Sequence, residues 1–138
     1  MAKLEKVRIG IIGCGGIANG KHMPALSKIP EVELVAFCDI IPERAQKAAQ
    51  EYGIEGAKVY TEYQELLKDD SIQVVHVLTP NNMHSPITVA ALKAGKDVMC
   101  EKPMAKTYAE AKLMLETAKA TGRKLTIGNL NKFCPECL

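Results

Sequence analysis

No stretch of this 138-residue chain approaches the roughly 20 consecutive apolar residues that span a bilayer, so it offers no candidate transmembrane helix. The opening MAKLEKVRIGIIGCGG sets basic side chains ahead of an apolar run, as a secretory signal does. Gly10, Gly13, Gly15 and Gly16 interrupt that run, and a cytoplasmic protein is expected. Charge of one sign is scarce too. Eighteen Lys and Arg stand against sixteen Asp and Glu, a formal net charge of +2, with lysines interleaved among glutamates. That balance excludes the electrostatic footprint of a nucleic-acid or anionic-membrane partner. The five cysteines form an odd set, and Cys14, Cys38 and Cys100 lie in or at the ends of apolar segments, where a thiol acts as a small hydrophobe. Structural disulfides are not expected. Cys134 and Cys137 (CPEC) supply half of a tetrahedral zinc site with no second pair at suitable spacing, so no metal is expected either. Repeats, low-complexity tracts and linkers are absent before about residue 128.

What is present is an ordinary globular composition, 47% apolar and 25% charged, in a length that suits one domain with its own core. Short, nearly continuous apolar runs recur at VRIGII (7–12), VELVAF (32–37), QVVHVL (73–78), DVMC (97–100) and KLTI (124–127), with AKVY (57–60) as a short edge strand. Continuous runs of this kind suit parallel strands covered on both faces. Helical patterns fill the gaps. Thr107 followed by Glu110 reads as a capping box, with Ala111, Leu115 and Ala118 as the inward stripe and Gly122 as the stop. Ser85 reads as a cap before Pro86, with Ile87, Ala90, Ala91 and Ala94 inward and Gly95 closing. Pro42 to Gly53 turns Ala45, Ala48, Ala49 and Tyr52 inward, and TEYQELLKDD (61–70) adds a short helix. The alternation predicts an α/β fold with a doubly wound parallel sheet of about six strands over residues 1–128, and a tail at 129–138.

GCGGIA (13–18) has the form GxGxxA between the first strand and a helix. Gly13 permits the tight turn, Gly15 lets backbone approach a pyrophosphate, and Ala18 allows close packing of helix on sheet. The helix start then offers free N–H groups to phosphate. A glycine turn can also be purely structural. Asp39 closes the second strand about 20 residues further on, where a carboxylate can take the adenosine ribose hydroxyls, although it could also serve as a helix cap. Such a carboxylate repels a 2′-phosphate, and Ile40 and Ile41 offer no guanidinium, so NAD is expected over NADP.

Ligands of open parallel sheets sit outside the carboxyl ends of the strands, where the strand order reverses. Gly13, the TPNNMH stretch (79–84) and Glu101 to Pro103 all fall at strand ends and are predicted to face one crevice. TPNNMH reads equally as a wall for the cofactor or as a turn and cap. His76, inside a strand, reads as a satisfied core histidine, while His22 could touch the cofactor or pack.

GCGGIA with Asp39, TPNNMH and above all EKPMA (101–105) resembles the Gfo/Idh/MocA oxidoreductases, the family of glucose-fructose oxidoreductase and inositol dehydrogenase, and the resemblance spans essentially the whole chain. It implies that Gly13, Gly15, Ala18 and Asp39 bind the cofactor, that Thr79, Asn81 and His84 line its path, and that Lys102 is the catalytic lysine. Gly16, Ile17, Ile40, Pro80, Glu101, Asn131 and Lys102 itself complete the implied cofactor set. It also implies a lysine to proline peptide that is often cis. Lys102 could then hydrogen-bond a secondary alcohol, as a neutral amine accepting its proton in oxidation and as an ammonium in reduction. Family members carry a second α/β domain that supplies most of the substrate pocket, and GNLNKF (128–133) resembles the crossing into it. Hence this chain is expected to be a truncated member that binds NAD with little turnover, acting on a sugar or polyol only if a second domain is supplied, with a homo-oligomer possible. The alternative is a stand-alone NAD-binding module with a regulatory or scaffolding role; a Rossmann domain for another nucleotide is a third reading.

Overall fold

The computed structural model describes residues 6–16, 18–79, 83–101 and 107–128. Among them lie β1 (Val7–Ile12), β2 (Val32–Cys38), β3 (Lys58–Tyr60), β4 (Val74–Val77), β5 (Asp97–Glu101) and β6 (Leu125–Gly128), in one sheet of order β3-β2-β1-β4-β5-β6. Every pairing is parallel. The chain leaves β1 toward β2 and β3, then crosses back to β4 on its other side. Strand order thus reverses between β1 and β4, as a doubly wound Rossmann fold requires.

The connections are α1 (Met23–Ser27), α2 (Pro42–Tyr52), α3 (Tyr63–Leu67), α4 (His84–Lys93) and α5 (Tyr108–Thr121), with one wide π-helical turn at Ala18–His22 leading into α1. Because side chains alternate along a strand, the central strands β1, β2 and β4 feed two cores. Ile9, Ile11, Leu34 and Phe37 pack with Met23, Ala45 and Ala48 under α1 and α2. Ile12, Val35, Val75, Val77, Val98 and Cys100 pack with Leu66, Ile87, Leu92 and Met114 under α3, α4 and α5. Two covered faces explain the unbroken apolar runs.

Three helix readings shift. Ser85 does not cap: α4 begins at His84, and the Ser85 hydroxyl instead donates to the Glu110 carbonyl at 3.5 Å. Ala94 lies exposed at the end of α4, because that helix stops at Lys93 before Gly95 turns the chain at φ +84. On α5 the buried stripe is Met114 and Thr117, while Leu115 is 51% exposed. The Thr107 cap forms, its Oγ1 accepting from the Glu110 N–H at 3.2 Å, and Gly122 closes the helix at φ +70.

Candidate cofactor-binding site

The carboxyl ends of β1, β2 and β4 converge on a cavity of about 840 Å³. Gly13, Gly15, Gly16, Asp39, Ile40 and Thr79 all line it. Gly13 makes the turn possible: its φ is +97, and a Cβ there would lie 2.8 Å from the Leu78 carbonyl carbon. A Cβ on Gly16 would meet nothing within 4 Å, so backbone here faces open space in which a phosphate can approach. Ala18 lies fully buried beneath the turn, the packing role its size allows. Asn19 braces the turn, its side-chain Nδ2 donating to the carbonyls of Cys14 (2.8 Å) and Gly15 (2.9 Å).

Asp39 does not cap α2, whose N-cap is Ile41 with no side-chain cap bond; it braces the turns on either side of itself. One carboxylate oxygen accepts from the Cys14 N–H and the other from the Ile41 N–H, each at 2.9 Å, so it fixes the glycine turn to the start of α2. Lone pairs remain on both oxygens for ribose hydroxyls. Beside it Ile40 is 87% exposed, an apolar surface at the cavity rim suited to an adenine ring. Across the cavity the Thr79 Oγ1 is buried without a partner among the described residues. A buried hydroxyl left unbonded costs free energy until a ligand oxygen meets it. Open glycine backbone, a carboxylate with spare lone pairs and an orphaned hydroxyl together fit a dinucleotide.

Two predicted residues stand behind the wall rather than in it. His84 is buried at the start of α4, and its Nε2 donates to the Thr79 carbonyl at 2.9 Å, supporting the strand end. Glu101 is buried at the end of β5 and meets His22, with Oε2 and Nε2 2.6 Å apart. His76 is a core histidine but not a satisfied one, for its Nδ1 has no partner among the described residues. Burial first, and His22 second, lower its pKa to about 4. Burial likewise pushes Cys14 and Cys38 up to about 12 and Cys100 to about 11, with Asp39 raising the first two further. Ile17, Pro80, Asn81, Lys102, Pro103 and Asn131 lie outside the described residues, as do Cys134 and Cys137.

Sequence reading missed Arg44. It stands in the first turn of α2 and lines the cavity, its guanidinium 3.8 Å from where a Gly15 Cβ would be. The available signal was its place in the first turn of the helix that follows β2.

Residues 7–129 match the model of an oxidoreductase family with an NAD-binding Rossmann fold, Gfo/Idh/MocA. The chain belongs to that family. Among curated relatives, it is 36% identical to the inositol 2-dehydrogenase/D-chiro-inositol 3-dehydrogenase of Lactiplantibacillus plantarum, over 99% of this chain and 39% of that protein. It is 38% identical to the D-glucoside 3-dehydrogenase of Escherichia coli, over 92% and 36% respectively. Thus the chain spans under two fifths of the length of these relatives. Among solved structures of similar fold is KijD10, a 3-ketoreductase from Actinomadura kijaniata in complex with NADP, at TM-score 0.88 and 29% identity, covering 96% of this chain and 40% of that one. Another is the WlbA dehydrogenase from Bordetella pertussis in complex with NADH, at TM-score 0.82 and 29% identity, covering 90% and 35%. Domains of similar fold are thus found with either nicotinamide dinucleotide.

Proposed function

We propose that these residues form the cofactor-binding part of an oxidoreductase that moves hydride between NAD and a secondary alcohol of a sugar or polyol. The observation that carries the reading is the cavity at the β1/β4 reversal, with glycine backbone open on one side and the unpartnered Thr79 hydroxyl on the other. Bound NAD supplies the hydride acceptor. Gly15 and Gly16 hold the pyrophosphate by backbone N–H groups, Asp39 the adenosine ribose, and Thr79 the path toward the nicotinamide. Lys102 follows Glu101 directly in sequence at the end of β5. In the neutral form it accepts the alcohol proton as hydride leaves the carbon, and as ammonium it returns that proton in reduction. A cationic ring beside it favours the neutral amine.

NAD is the preferred dinucleotide because Asp39 sets a carboxylate where a 2′-phosphate would sit. Arg44 acts against that preference, since it lines the same cavity with its guanidinium beside Gly15, so discrimination rests on Asp39. Calorimetric titration tests both points. Wild type should bind NAD more tightly than NADP, and Asp39→Ser should reverse the order by about tenfold or more, since one charge contact moved between repulsion and neutrality is worth about 1.4 kcal/mol or more. Equal affinities in wild type count against the assignment. Lys102→Ala should abolish any turnover while NAD still binds, because the proton passes through this lysine and the dinucleotide keeps its other contacts.

A further inference from the structure

Outside the cavity, three titratable side chains meet on the face of the sheet that α1 covers. His22 Nε2 and Glu101 Oε2 are 2.6 Å apart, and both residues are buried. The His76 ring stands edge-on to His22, centroids 6.1 Å apart and planes at 73°. Withdrawing a carboxylate and an imidazole from water costs several kcal/mol that apolar packing avoids, and the neighbouring Met23 is fully buried in an apolar setting. A polar pair persisting there calls for a reason other than stability.

The reason lies in what the pair joins. His22 closes the π turn that opens at Ala18, a wide turn of the kind concentrated at functional sites. Asn19 in that same turn holds the carbonyls of Cys14 and Gly15. Glu101 is the last residue of β5, and the next residue in the chain is Lys102. The phosphate turn and the residue before the lysine are therefore linked by the two Asn19 bonds, three residues of helix and one buried contact. We propose that His22 and Glu101 are positioning residues for the hydride transfer, carrying occupancy of the glycine turn to the strand end that bears Lys102. This rests on the cofactor reading above. A phosphate drawing the Gly15 and Gly16 N–H groups toward itself moves the Cys14 and Gly15 carbonyls, and Asn19 passes that movement to His22. Glu101 follows because the pair has little alternative partner: among the described residues, His22 is the side chain that its carboxylate meets.

The test uses ADP, which fills the adenosine and pyrophosphate positions without a nicotinamide to cover the lysine. Competitive acylation with acetic anhydride, read by mass spectrometry, gives the reactivity of Lys102 with and without saturating ADP, with Lys119 as internal standard. Calorimetry gives the ADP affinity and a thermal melt the folding of each sample. In wild type, ADP should change the Lys102 rate about fivefold or more. His22→Gln should keep that response, since its amide can donate to Glu101 as Nε2 does. In His22→Phe and Glu101→Met, ADP should still bind while the response falls below about twofold. A purely structural role would lower the melting temperature and leave the ADP response intact, which overturns the inference. So does an ADP-binding wild type whose Lys102 does not respond. Wild type that fails to bind ADP at all overturns the cofactor reading and this inference with it. If one of the two disrupting variants does not fold, the other decides.

Discussion

Gly13 shows how one residue type is forced by its surroundings. Its φ of +97 is closed to L side chains, and an added Cβ would also press within 2.9 Å of the Thr79 N. Gly13→Ala should lower stability by about 1–3 kcal/mol and weaken NAD binding, whereas Gly16→Ala, with nothing within 4 Å of the new Cβ, should spare stability. Urea denaturation and calorimetry on the two variants separate these effects. His76 is a second such case, governed by protonation. Its folded pKa of about 4 lies below the 6.5 of the unfolded chain, because burial and His22 both disfavour the imidazolium. Between these values the unfolded state takes up a proton that the folded state refuses, so this contribution is complete above pH 6.5 and is lost as pH falls toward 4. The full loss is about 3 kcal/mol at 1.36 kcal/mol per unit. His76→Leu should flatten the stability profile in that window; an unchanged slope would assign it to other groups.

Among the elements, α5 shows both what pattern reading sees and what it misses. Thr107, Glu110 and Gly122 were legible because caps are local chemistry, and the Thr107 hydroxyl does accept from the Glu110 N–H. Thr107→Ala should therefore cost about 1 kcal/mol in a denaturant titration. The reciprocal half of the box does not form, and Glu110 Oε2 is buried without a partner among the described residues. The buried stripe lies one residue out of phase with the expected one. Ala111, Leu115 and Ala118 make a plausible ladder, but so do Met114, Thr117 and Ala118, and a threonine in the second discourages choosing it. Thr117 is tolerated in the core because its hydroxyl donates to the Leu113 carbonyl at 2.7 Å, satisfying itself within the helix. The strands were easier. In β1, β2 and β4 both faces are covered and there is no phase to choose, and each predicted run lies within two residues of its observed bounds.

At the scale of the whole molecule, the sheet order brings residues far apart in sequence to one rim. Gly13, Asp39 and Thr79 were legible because each follows an apolar run, and a reversal between β1 and β4 gathers those ends. The His22 and Glu101 contact was not legible, since 79 residues separate the partners and neither sits in a local pattern that names the other. A dinucleotide bound across that rim touches β1, β2 and β4 together and so should stabilise the fold as a unit. At a concentration one hundred times Kd the gain is about 2.7 kcal/mol, which for a chain this size raises Tm by on the order of 10 °C. Turnover is a different matter, because holding a sugar carbon against the nicotinamide requires surfaces on both sides of the ring, and orientation accounts for a large share of enzymatic rate. The relatives devote more than three fifths of their length to residues with no counterpart in these 138. The 138-residue chain is therefore expected to show the full NAD-dependent rise in Tm and no reduction of NAD above background against a panel of sugars and polyols. A melt without the rise removes the cofactor assignment, while strong reduction of NAD would mean that these residues alone build a substrate pocket.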